Sequence, residues 1–352
     1  MSNSSSKSTD TGTVMSTKME DSALLSRRRF MADTGTVMAG GVAALGTGLG
    51  AAPVQAAAPS EAAAAMSDHK PGSHSKTAYT LDAIIKIDES LCINCNACVR
   101  CCPGALIAKG RFPVPTADSW TFCIDCGHCV AICPTGALQQ RAMGPEDCEP
   151  IDNRLIPKFD DIRQFLIARR SIRGYVNRPI EKDKILQLLD VARYAPNGGN
   201  RQVLRWLVIN DPAKVSKIAA LTIDWMKNTK DTNPGLYQEA KMEVFIKNWE
   251  AGSDQISRGA PCIIQAWANK DERPATPAAA IAIAHIQLAA TTLGLGTSWT
   301  EGIGYASRAY PPLLDVLGMP EGQIPYATFL IGYPTEFYHR IPTRKAVDVT
   351  WV

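Results

Sequence analysis

Nine of the eleven cysteines in this 352-residue chain lie in one short segment, between Cys92 and Cys133. Eight of the nine form two runs with the same pattern, C-x2-C-x2-C-x3-C-P. The runs are Cys92, Cys95, Cys98 and Cys102 before Pro103, and Cys123, Cys126, Cys129 and Cys133 before Pro134. The second run follows the first by 31 residues, and Ile93 recurs as Ile124. The segment is therefore an internal duplication.

The doubled spacing is typical of iron–sulfur ligands. Three thiolates two residues apart hold one [4Fe–4S] cluster, and the fourth, just before proline, reaches the other cluster. The predicted ligand sets are Cys92, Cys95, Cys98 with Cys133, and Cys123, Cys126, Cys129 with Cys102. Zinc favours paired C-x2-C knuckles, and disulfides would have to close very short loops. Over about residues 81–145 the chain resembles two-[4Fe–4S] bacterial-type ferredoxins.

Four further residues near these motifs or elsewhere in the chain do not fit the ligand pattern. Cys101, Cys148 and Cys262 are interpreted as packed or idle thiols. His128 lies between two predicted ligands, but four thiolates already satisfy each cluster. We therefore interpret His128 as a surface residue near a cluster.

Residues 1–56 are predicted to be an export signal. The motif SRRRFM at Ser26–Met31 precedes a mildly apolar stretch, and small residues at Val54 and Ala56 follow. This order is typical of a signal peptide, and the motif resembles the twin-arginine (Tat) signal. We expect a periplasmic or otherwise exported protein, tethered to a membrane if the signal is not cleaved. Residues 57–80 are predicted to be a flexible linker.

Export and iron–sulfur clusters are compatible in this chain. A Tat signal implies transport of a folded protein, so clusters can be inserted in the cytoplasm before export. The formal net charge is +3, which gives no support to a nucleic-acid partner. We predict a ferredoxin-like domain over residues 81–150, followed by a second domain over residues 155–352.

The second domain contains predicted helices and short, fully apolar strands. Apolar residues recur at helical spacing in Lys182–Ala195, and a long Ala-rich helix is predicted at Ala278–Leu293. The segments WLVIN, CIIQAWA and YATFLIGYP are predicted strands. This pattern favours an α+β fold with a central sheet covered by helices.

Three local groups in this domain could bind a cofactor. ARRSIRGY offers guanidinium groups and a hydroxyl suited to a phosphate. APNGGNRQ is a turn whose amides could bind a polar ring edge, and GTSWTEGIG ends a strand with a glycine that permits close approach to a ligand. Taken together, in this order, the groups resemble the nitroreductase family of flavin-dependent oxidoreductases over roughly residues 160–352.

The resemblance implies an FMN-binding α+β homodimer with a central mixed sheet, with flavin at the subunit interface and C-terminal extensions that embrace the partner. It implies that the FMN phosphate is held by Arg169, Arg170, Ser171 and Arg173. It implies contacts from the other subunit by Pro196, Asn197, Gly198, Asn200 and Gln202. It places Trp299, Thr300, Glu301 and Gly302 along the isoalloxazine ring, with a backbone amide of Glu301 or Gly302 near the reactive nitrogen. Arg344 and Lys345 resemble a second phosphate clamp, although TRKAV can slide by one residue. Asn197 stands where many relatives have serine.

The combination predicts an oxidoreductase without a dedicated catalytic acid, base or nucleophile. Electrons from an unidentified donor would pass through the two clusters to FMN, which would reduce a small nitroaromatic, quinone or other conjugated electrophile. No G-x-G-x-x-G follows a strand, so no Rossmann NAD site is predicted. Two alternatives stay open: an electron-transfer protein that serves a partner, or a reductive dehalogenation or flavin-modifying enzyme on the same scaffold.

An apolar stripe in the segment KMEVFIKNWE has two interpretations. Met242, Phe245 and Trp249 share one face of a predicted helix. Core or dimer packing is the favoured interpretation, and the wall of a substrate pocket is the alternative.

Overall fold

The computed structural model of the chain describes residues 83–352. The predicted signal segment and linker lie outside the described residues. The strands are β1 Ile85–Ile87, β2 Ile107–Ala108, β3 Val114–Pro115, β4 Leu138–Gln140, β5 Arg205–Ile209, β6 Cys262–Asn269, β7 Gly296–Trp299 and β8 Gln323–Gly332.

The helices of the described residues are short in the cysteine-rich part and longer after it. They are α1 Ala97–Cys101, α2 Ser119–Phe122, α3 His128–Ala131, α4 Phe159–Ala168, α5 Lys182–Ala192, α6 Pro212–Thr232, α7 Pro234–Glu239, α8 Met242–Glu250, α9 Ala275–Thr292, α10 Glu301–Ala309 and α11 Pro311–Leu317. None of these helices is both long and apolar enough to cross a bilayer.

The cysteine-rich part has two small antiparallel ladders, β1 with β4 and β2 with β3. The sequence duplication is repeated in the backbone, because α1 begins 31 residues before α3 and β2 begins 31 residues before β4. Left-handed residues also recur at this interval: they are Asn94 with Asp125, Asn96 with Gly127, and Ala105 with Gly136. A small core that includes Ile84, Ile107 and Leu138 lies between the two halves.

The second domain contains a four-stranded sheet in the order β5-β6-β8-β7, with antiparallel pairing throughout. Within the described residues, the parallel pairing is an isolated bridge between Ser171 and Thr297. The mixed character of the sheet therefore arises at the β7 edge, where the segment that contains Ser171 lies alongside it.

Both faces of this sheet are covered by helices. In β6, Ile263 contributes to the core beneath α6, α8 and α10, and its neighbour Ile264 contributes to the core beneath α5 and α9. In β8, Leu330 and Phe329 divide between the same two cores. Because successive residues of a strand point to opposite faces, a doubly covered sheet requires continuous apolar strands. This explains why Cys262–Ala268 of β6 is buried throughout and apolar except for Gln265.

Helix ends follow local sequence signals. The Asp211 carboxylate accepts hydrogen bonds from the amides of Ala213 and Lys214, which caps α6, and Pro212 occupies its first turn. The helix α5 ends at Ala192, three residues earlier than predicted, because Tyr194 and Ala195 close a tight turn instead. The polar turn of residues 196–202 follows directly.

Candidate cysteine and flavin sites

The structure brings the eight predicted ligand cysteines into two sets. One cavity, of about 230 Å³, is lined by Cys102, Cys123, Cys126 and Cys129. A second, narrower cavity is lined by Cys92, Cys95, Cys98 and Cys133. These are the crossed sets that the spacing predicts, with the last cysteine of each run joining the other run.

Backbone turns position the cysteines between short helices. Gly127 is left-handed, with φ of 71°, and a Cβ at this position would collide with the sulfur of Met143. The Leu106 amide donates to Sγ of Cys102 at 3.3 Å, and the Gln140 amide group donates to Sγ of Cys123 at 3.5 Å. Hydrogen bonds to sulfur tune the reduction potential of a cluster.

Burial sets the protonation of several thiols. It raises the pKa of Cys129 to about 12. At Cys133, burial alone would raise the pKa, but hydrogen bonds from the Thr135 backbone and hydroxyl lower it overall. Thiolates are the iron ligands, so a thiol such as Cys129 requires metal to be deprotonated at neutral pH.

The donor set suits an iron–sulfur cluster, since four thiol side chains stand around each cavity. Among residues 83–352, no three His, Cys, Asp or Glu side chains converge closely enough to hold a single metal ion. Cys101 lines neither cavity, and its Sγ donates to the Cys98 carbonyl at 3.4 Å. The side chain of His128 is exposed at the start of α3, where it borders the wider cavity.

The other two cysteines are packed away from the cavities. Cys262 is fully buried in β6, and burial raises its pKa to about 12. Cys148 packs against the small core of the cysteine-rich part, where its Sγ donates to the Gly144 carbonyl at 3.5 Å.

A larger cavity lies at the end of β7 in the second domain. It has a volume of about 420 Å³, and its polar wall contains Arg173, Arg258, Trp299, Thr300, Glu301 and Gly302. The helix α10 begins at Glu301, so the amides of its first turn have no partner within the helix. A helix N-terminus with two nearby guanidinium groups attracts negative charge.

Sheet pairing explains why residues distant in the sequence meet at this cavity. The Ile172 amide donates to the Thr297 carbonyl at 2.9 Å, which holds the segment Arg169–Arg173 beside β7. Gly296 permits this approach, because a Cβ there would collide with Ile172. The two predicted flavin groups thus run side by side, and Arg173 reaches the cavity.

The four predicted phosphate residues do not occupy one place. Arg173 lines the cavity, whereas Arg169, Arg170 and Ser171 precede it on the same segment and do not line it. Burial, followed by repulsion from Arg170, lowers the pKa of the Arg169 guanidinium. The Arg170 guanidinium lies 5.9 Å from the centre of the Tyr338 ring.

Arg344 and Lys345 are exposed in the tail that follows β8, which forms no helix or strand after residue 335. The Arg344 guanidinium donates to the adjacent Thr343 carbonyl at 3.1 Å. Neither residue lines the 420 Å³ cavity. Within one chain, the structure therefore does not bring the predicted second phosphate clamp to this cavity.

Arg258 is a candidate cofactor residue that sequence reasoning missed. It shares the cavity with Arg173, and burial, together with repulsion from Arg173, lowers the pKa of its guanidinium. Its backbone is left-handed, with φ of 54°, in a turn where the Asp254 carboxylate accepts from the amides of Ile256 and Ser257. Asp254, which begins this turn, is the available signal in the sequence, but it does not indicate a ligand.

The apolar stripe takes part in both environments proposed for it. Met242 is buried and, with Phe245, lines the 420 Å³ cavity. Trp249 packs against the core between the sheet and α6. The face of α8 that carries the stripe therefore both packs into the core and borders the cavity.

The turn APNGGNRQ lies elsewhere. Asn197 and Gln202 line a different cavity, of about 270 Å³, between α5 and α9. The turn is built by its own side chains: Oδ1 of Asn197 accepts from the Gln202 amide at 2.9 Å, and Gln202 donates to Oδ1 of Asn200 at 3.3 Å. Pro196 and Gly198 belong to this turn as well, and Gly198 packs closely against Pro274. The two halves of the predicted flavin site are therefore separate within one chain.

The side-chain amide of Asn200 joins the turn to the cysteine-rich part. Its Nδ2 donates to the carbonyls of Ile124 and Asp125, at 3.2 and 3.0 Å. Ile124 and Asp125 lie between Cys123 and Cys126, two of the cysteines in the 230 Å³ cavity. A candidate cluster loop and a candidate flavin loop are thus in direct contact.

Comparison with known families agrees with these two parts. The nitroreductase family matches residues 166–333, and the 4Fe-4S dicluster domain matches residues 84–134. The chain carries a nitroreductase-family domain preceded by a 4Fe-4S dicluster domain. The predicted α+β nitroreductase-like fold with a preceding ferredoxin-like domain is confirmed, as is the assignment to the FMN-dependent oxidoreductases of this family.

Individual relatives align with about half of the chain. A protein of Archaeoglobus fulgidus, provisionally named NADH dehydrogenase/NAD(P)H nitroreductase, is 24% identical over 51% of this chain and 88% of its own length. The FMN reductase [NAD(P)H] of Bacillus subtilis is 21% identical over 51% of this chain and 68% of its own length. A nitroreductase with bound FMN from Desulfitobacterium hafniense covers 55% of this chain and 100% of its own, at 22% identity and a TM-score of 0.45.

Proposed function

We propose that the chain is an exported oxidoreductase that passes electrons through two [4Fe–4S] clusters to FMN and reduces a small conjugated acceptor. The observation that carries the proposal is the contact, within one folded unit, between a four-cysteine cavity and a turn of the nitroreductase-family domain. When bound, FMN would supply a store for two electrons that arrive singly.

The 420 Å³ cavity would hold the ring of the flavin, and Arg169 and Ser171, which lie outside it on the same segment as Arg173, would hold the phosphate. Arg173 and Arg258 would place positive charge there, and the first amides of α10 would offer hydrogen bonds. Gly302 packs close to Met226, since a Cβ at Gly302 would lie 3.2 Å from the Met226 methyl group. The absence of a side chain at Gly302 keeps the backbone accessible at the N-terminus of α10.

The mouth of this cavity suits a planar acceptor. Trp299 and Tyr305 both line it, and both are partly exposed, at 43% and 48%. Aromatic faces of this kind stack on flat conjugated rings. This favours a nitroaromatic, a quinone or a related electrophile over an aliphatic substrate.

A second copy of the chain would complete the flavin site. The turn with Asn197 and Gln202 lines a different cavity from Arg173, so one chain supplies the two halves in different places. The helix α4 buries none of its residues although it is amphipathic, and Phe159 is 75% exposed. The exposed tail after residue 335 also ends in apolar side chains, including Trp351 at 90%. A homodimer would cover these surfaces.

The electron donor is proposed to be a one-electron carrier. The relatives from A. fulgidus and B. subtilis are named for NAD(P)H. The present chain adds a dicluster domain over residues 84–134, which can accept single electrons. This also suits an exported protein, because nicotinamide cofactors belong mainly to the cytoplasm.

Anaerobic purification of the full chain tests the proposal. We expect about eight irons, about eight sulfides and one FMN per chain. Reduction with dithionite, followed by addition of a quinone or a nitroaromatic, should give repeated turnover. Zinc in place of iron, or the absence of flavin, would overturn the proposal. Normal cofactors without turnover would instead indicate an electron-transfer protein that serves a partner.

Variants of the phosphate segment test the flavin assignment. Arg169→Ala or Ser171→Ala should weaken FMN binding by about 10- to 100-fold, since a hydrogen bond to a charged group contributes about 1.5–3 kcal/mol. Iron content should not change. Arg178→Ala is the matched control, because Arg178 is exposed and pairs with Glu181 at 3.3 Å. Full flavin retention in both phosphate variants would show that the assignment is wrong.

A further inference from the structure

The two cysteine loops are equivalent in sequence but not in their surroundings. Ile93 and Ile124 occupy matching positions of the duplication, as do Asn94 and Asp125. Ile93 is 64% exposed and Ile124 is 41% exposed. The side chain of Asn94 donates to Arg111 within the cysteine-rich part, at 2.8 Å. The second loop instead receives both hydrogen bonds from Asn200 of the nitroreductase-family domain.

The second loop is held firmly from its own side. The Arg141 guanidinium donates to the Asp125 carboxylate at 2.8 Å and to the Cys123 carbonyl at 3.0 Å. The Gln140 side chain donates to the same carboxylate and to Sγ of Cys123. These contacts fix the carbonyls of Ile124 and Asp125 that Asn200 binds. A charged, multidentate clamp of this kind limits loop motion.

The turn that carries Asn200 is also anchored. The Arg201 guanidinium pairs with Glu272 at 2.9 Å, just before α9. The internal bonds among Asn197, Asn200 and Gln202 fix the side-chain orientation of Asn200. The junction, which is the contact of Asn200 with the carbonyls of Ile124 and Asp125, therefore joins two rigid elements. A rigid contact keeps the distance between redox centres short and constant.

We propose that the second cysteine set is the exit of the electron path, and that it delivers electrons across the subunit interface. In this scheme, the centre held by Cys102, Cys123, Cys126 and Cys129 faces, through Asn200, the FMN whose phosphate is bound by the other subunit. The centre held by Cys92, Cys95, Cys98 and Cys133 is then the entry for an external one-electron donor. The inference rests on the proposed homodimeric flavin enzyme.

The geometry of one chain favours delivery to the partner. Asn200 belongs to the turn whose cavity contains Asn197 and Gln202, and this cavity is distinct from the one that contains Arg173. If the turn completes the flavin site of a second copy, the docked cysteine loop is next to that copy's flavin. Each transfer would oxidise the second centre by one electron, which the external donor would replace through the first centre. Two such transfers, with two protons from solvent, would reduce one FMN by two electrons.

Mixed dimers test this path. One chain carries Asn200→Ala and retains its FMN-phosphate residues, and the other carries Arg169→Ala with Ser171→Ala and retains Asn200. The flavin of this dimer belongs to the first chain, and the intact junction belongs to the second. After dithionite reduction of the iron centres, stopped-flow absorbance should show flavin bleaching at the wild-type rate. Bleaching as slow as in the Asn200→Ala homodimer would show that delivery stays within one chain.

The wild-type and Asn200→Ala homodimers provide the reference rates. We expect Asn200→Ala to slow the bleaching of the bound flavin at least about tenfold, with unchanged iron content, because the loss of the two bonds loosens the contact between the cysteine loop and the turn. Rates are compared per bound FMN, because Asn200 is itself a predicted flavin residue. Asn94→Ala is the matched control. Asn94 is also left-handed, with φ of 54° against 52° for Asn200, and its side chain also donates to a backbone carbonyl. Equal rates in both variants would overturn the exit assignment.

A measurement without redox chemistry checks the junction itself. Amide hydrogen exchange of residues 123–126 should increase in Asn200→Ala and stay unchanged in Asn94→Ala. Unchanged exchange in both variants would show that Asn200 does not restrain the loop. The outcomes also separate the two proposals. If the flavin of the wild-type protein does not bleach, the proposed function is contradicted. If it bleaches but the mixed dimer is slow, only the path across the interface is contradicted.

Discussion

The cysteine sites and the flavin site of this protein are assembled in different ways. Each set of four cysteines surrounds its own cavity within one chain. The predicted flavin residues are divided between a cavity with Arg173 and Glu301 and another with Asn197 and Gln202. The first kind of site is assembled within one chain, whereas the second kind would be completed by another copy in the homodimer that we propose. Substitutions in the cysteine sites should therefore change iron content, and substitutions in the flavin site should change FMN content.

The difference follows from the distances along the chain. Eight cysteines within 42 positions can surround two cavities through short helices and turns. The predicted flavin residues span positions from Arg169 to Lys345, so only the sheet and its neighbours can bring them together. The bridge between Ser171 and Thr297 achieves this for one half. The turn around Asn200 stays with the cysteine loop instead.

The largest expected effect comes from a ligand cysteine. Cys126→Ser should reduce iron from about eight to about four per chain, because three thiolates do not hold a [4Fe–4S] cluster stably. FMN content should stay the same, because none of the predicted flavin residues is a cysteine ligand. Iron and sulfide assays with a flavin absorbance spectrum measure both. Cys101→Ser is the matched control and should keep all iron, because Cys101 lines neither cavity. Iron loss in this control would make Cys101 a ligand.

The second-largest expected effect concerns the proposed dimerisation through α4. Phe159→Ser combined with Leu166→Ser should weaken dimerisation by at least about 100-fold, since each large apolar side chain contributes about 1.5–3 kcal/mol when buried. Light scattering coupled to size-exclusion chromatography measures the oligomeric state. FMN should be lost with the dimer, and iron should be retained. Val114→Ser is the control, because Val114 is 46% exposed, close to the 45% of Leu166, but lies in the cysteine-rich part. A variant that stays dimeric would place the interface away from α4.

The smallest expected effect concerns FMN binding by the cavity that contains Arg258. Arg258→Gln should weaken FMN binding about tenfold, because it removes one of two positive charges from the cavity. The apo form should be no less stable, since the substitution also relieves repulsion between Arg258 and Arg173. Thermal unfolding with and without FMN separates the two contributions. A loss of apo stability with unchanged FMN binding would make Arg258 a structural residue.

Much of the fold follows from local patterns. The apolar segments CIIQAWA and YATFLIGYP became β6 and β8, and the Ala-rich segment became α9. The predicted end of α5 lies three residues beyond the observed one, because the apolar periodicity continues into the turn at Tyr194. Arg258 was missed because a cation in a turn has no periodicity or spacing that indicates a cavity. Its position is visible only when β7 and α8 are packed around it.

The sequence alone determined how the eight cysteines divide into two sets of four, because the doubled spacing restricts which thiolates can meet around one cluster. It also determined the family resemblance of the second domain, through three motifs in a fixed order. Only the tertiary structure decided which cysteine loop faces the flavin domain. The two loops share the same cysteine spacing, so the motif alone does not distinguish them. The side chain of Asn200, 75 residues beyond Asp125, makes that difference.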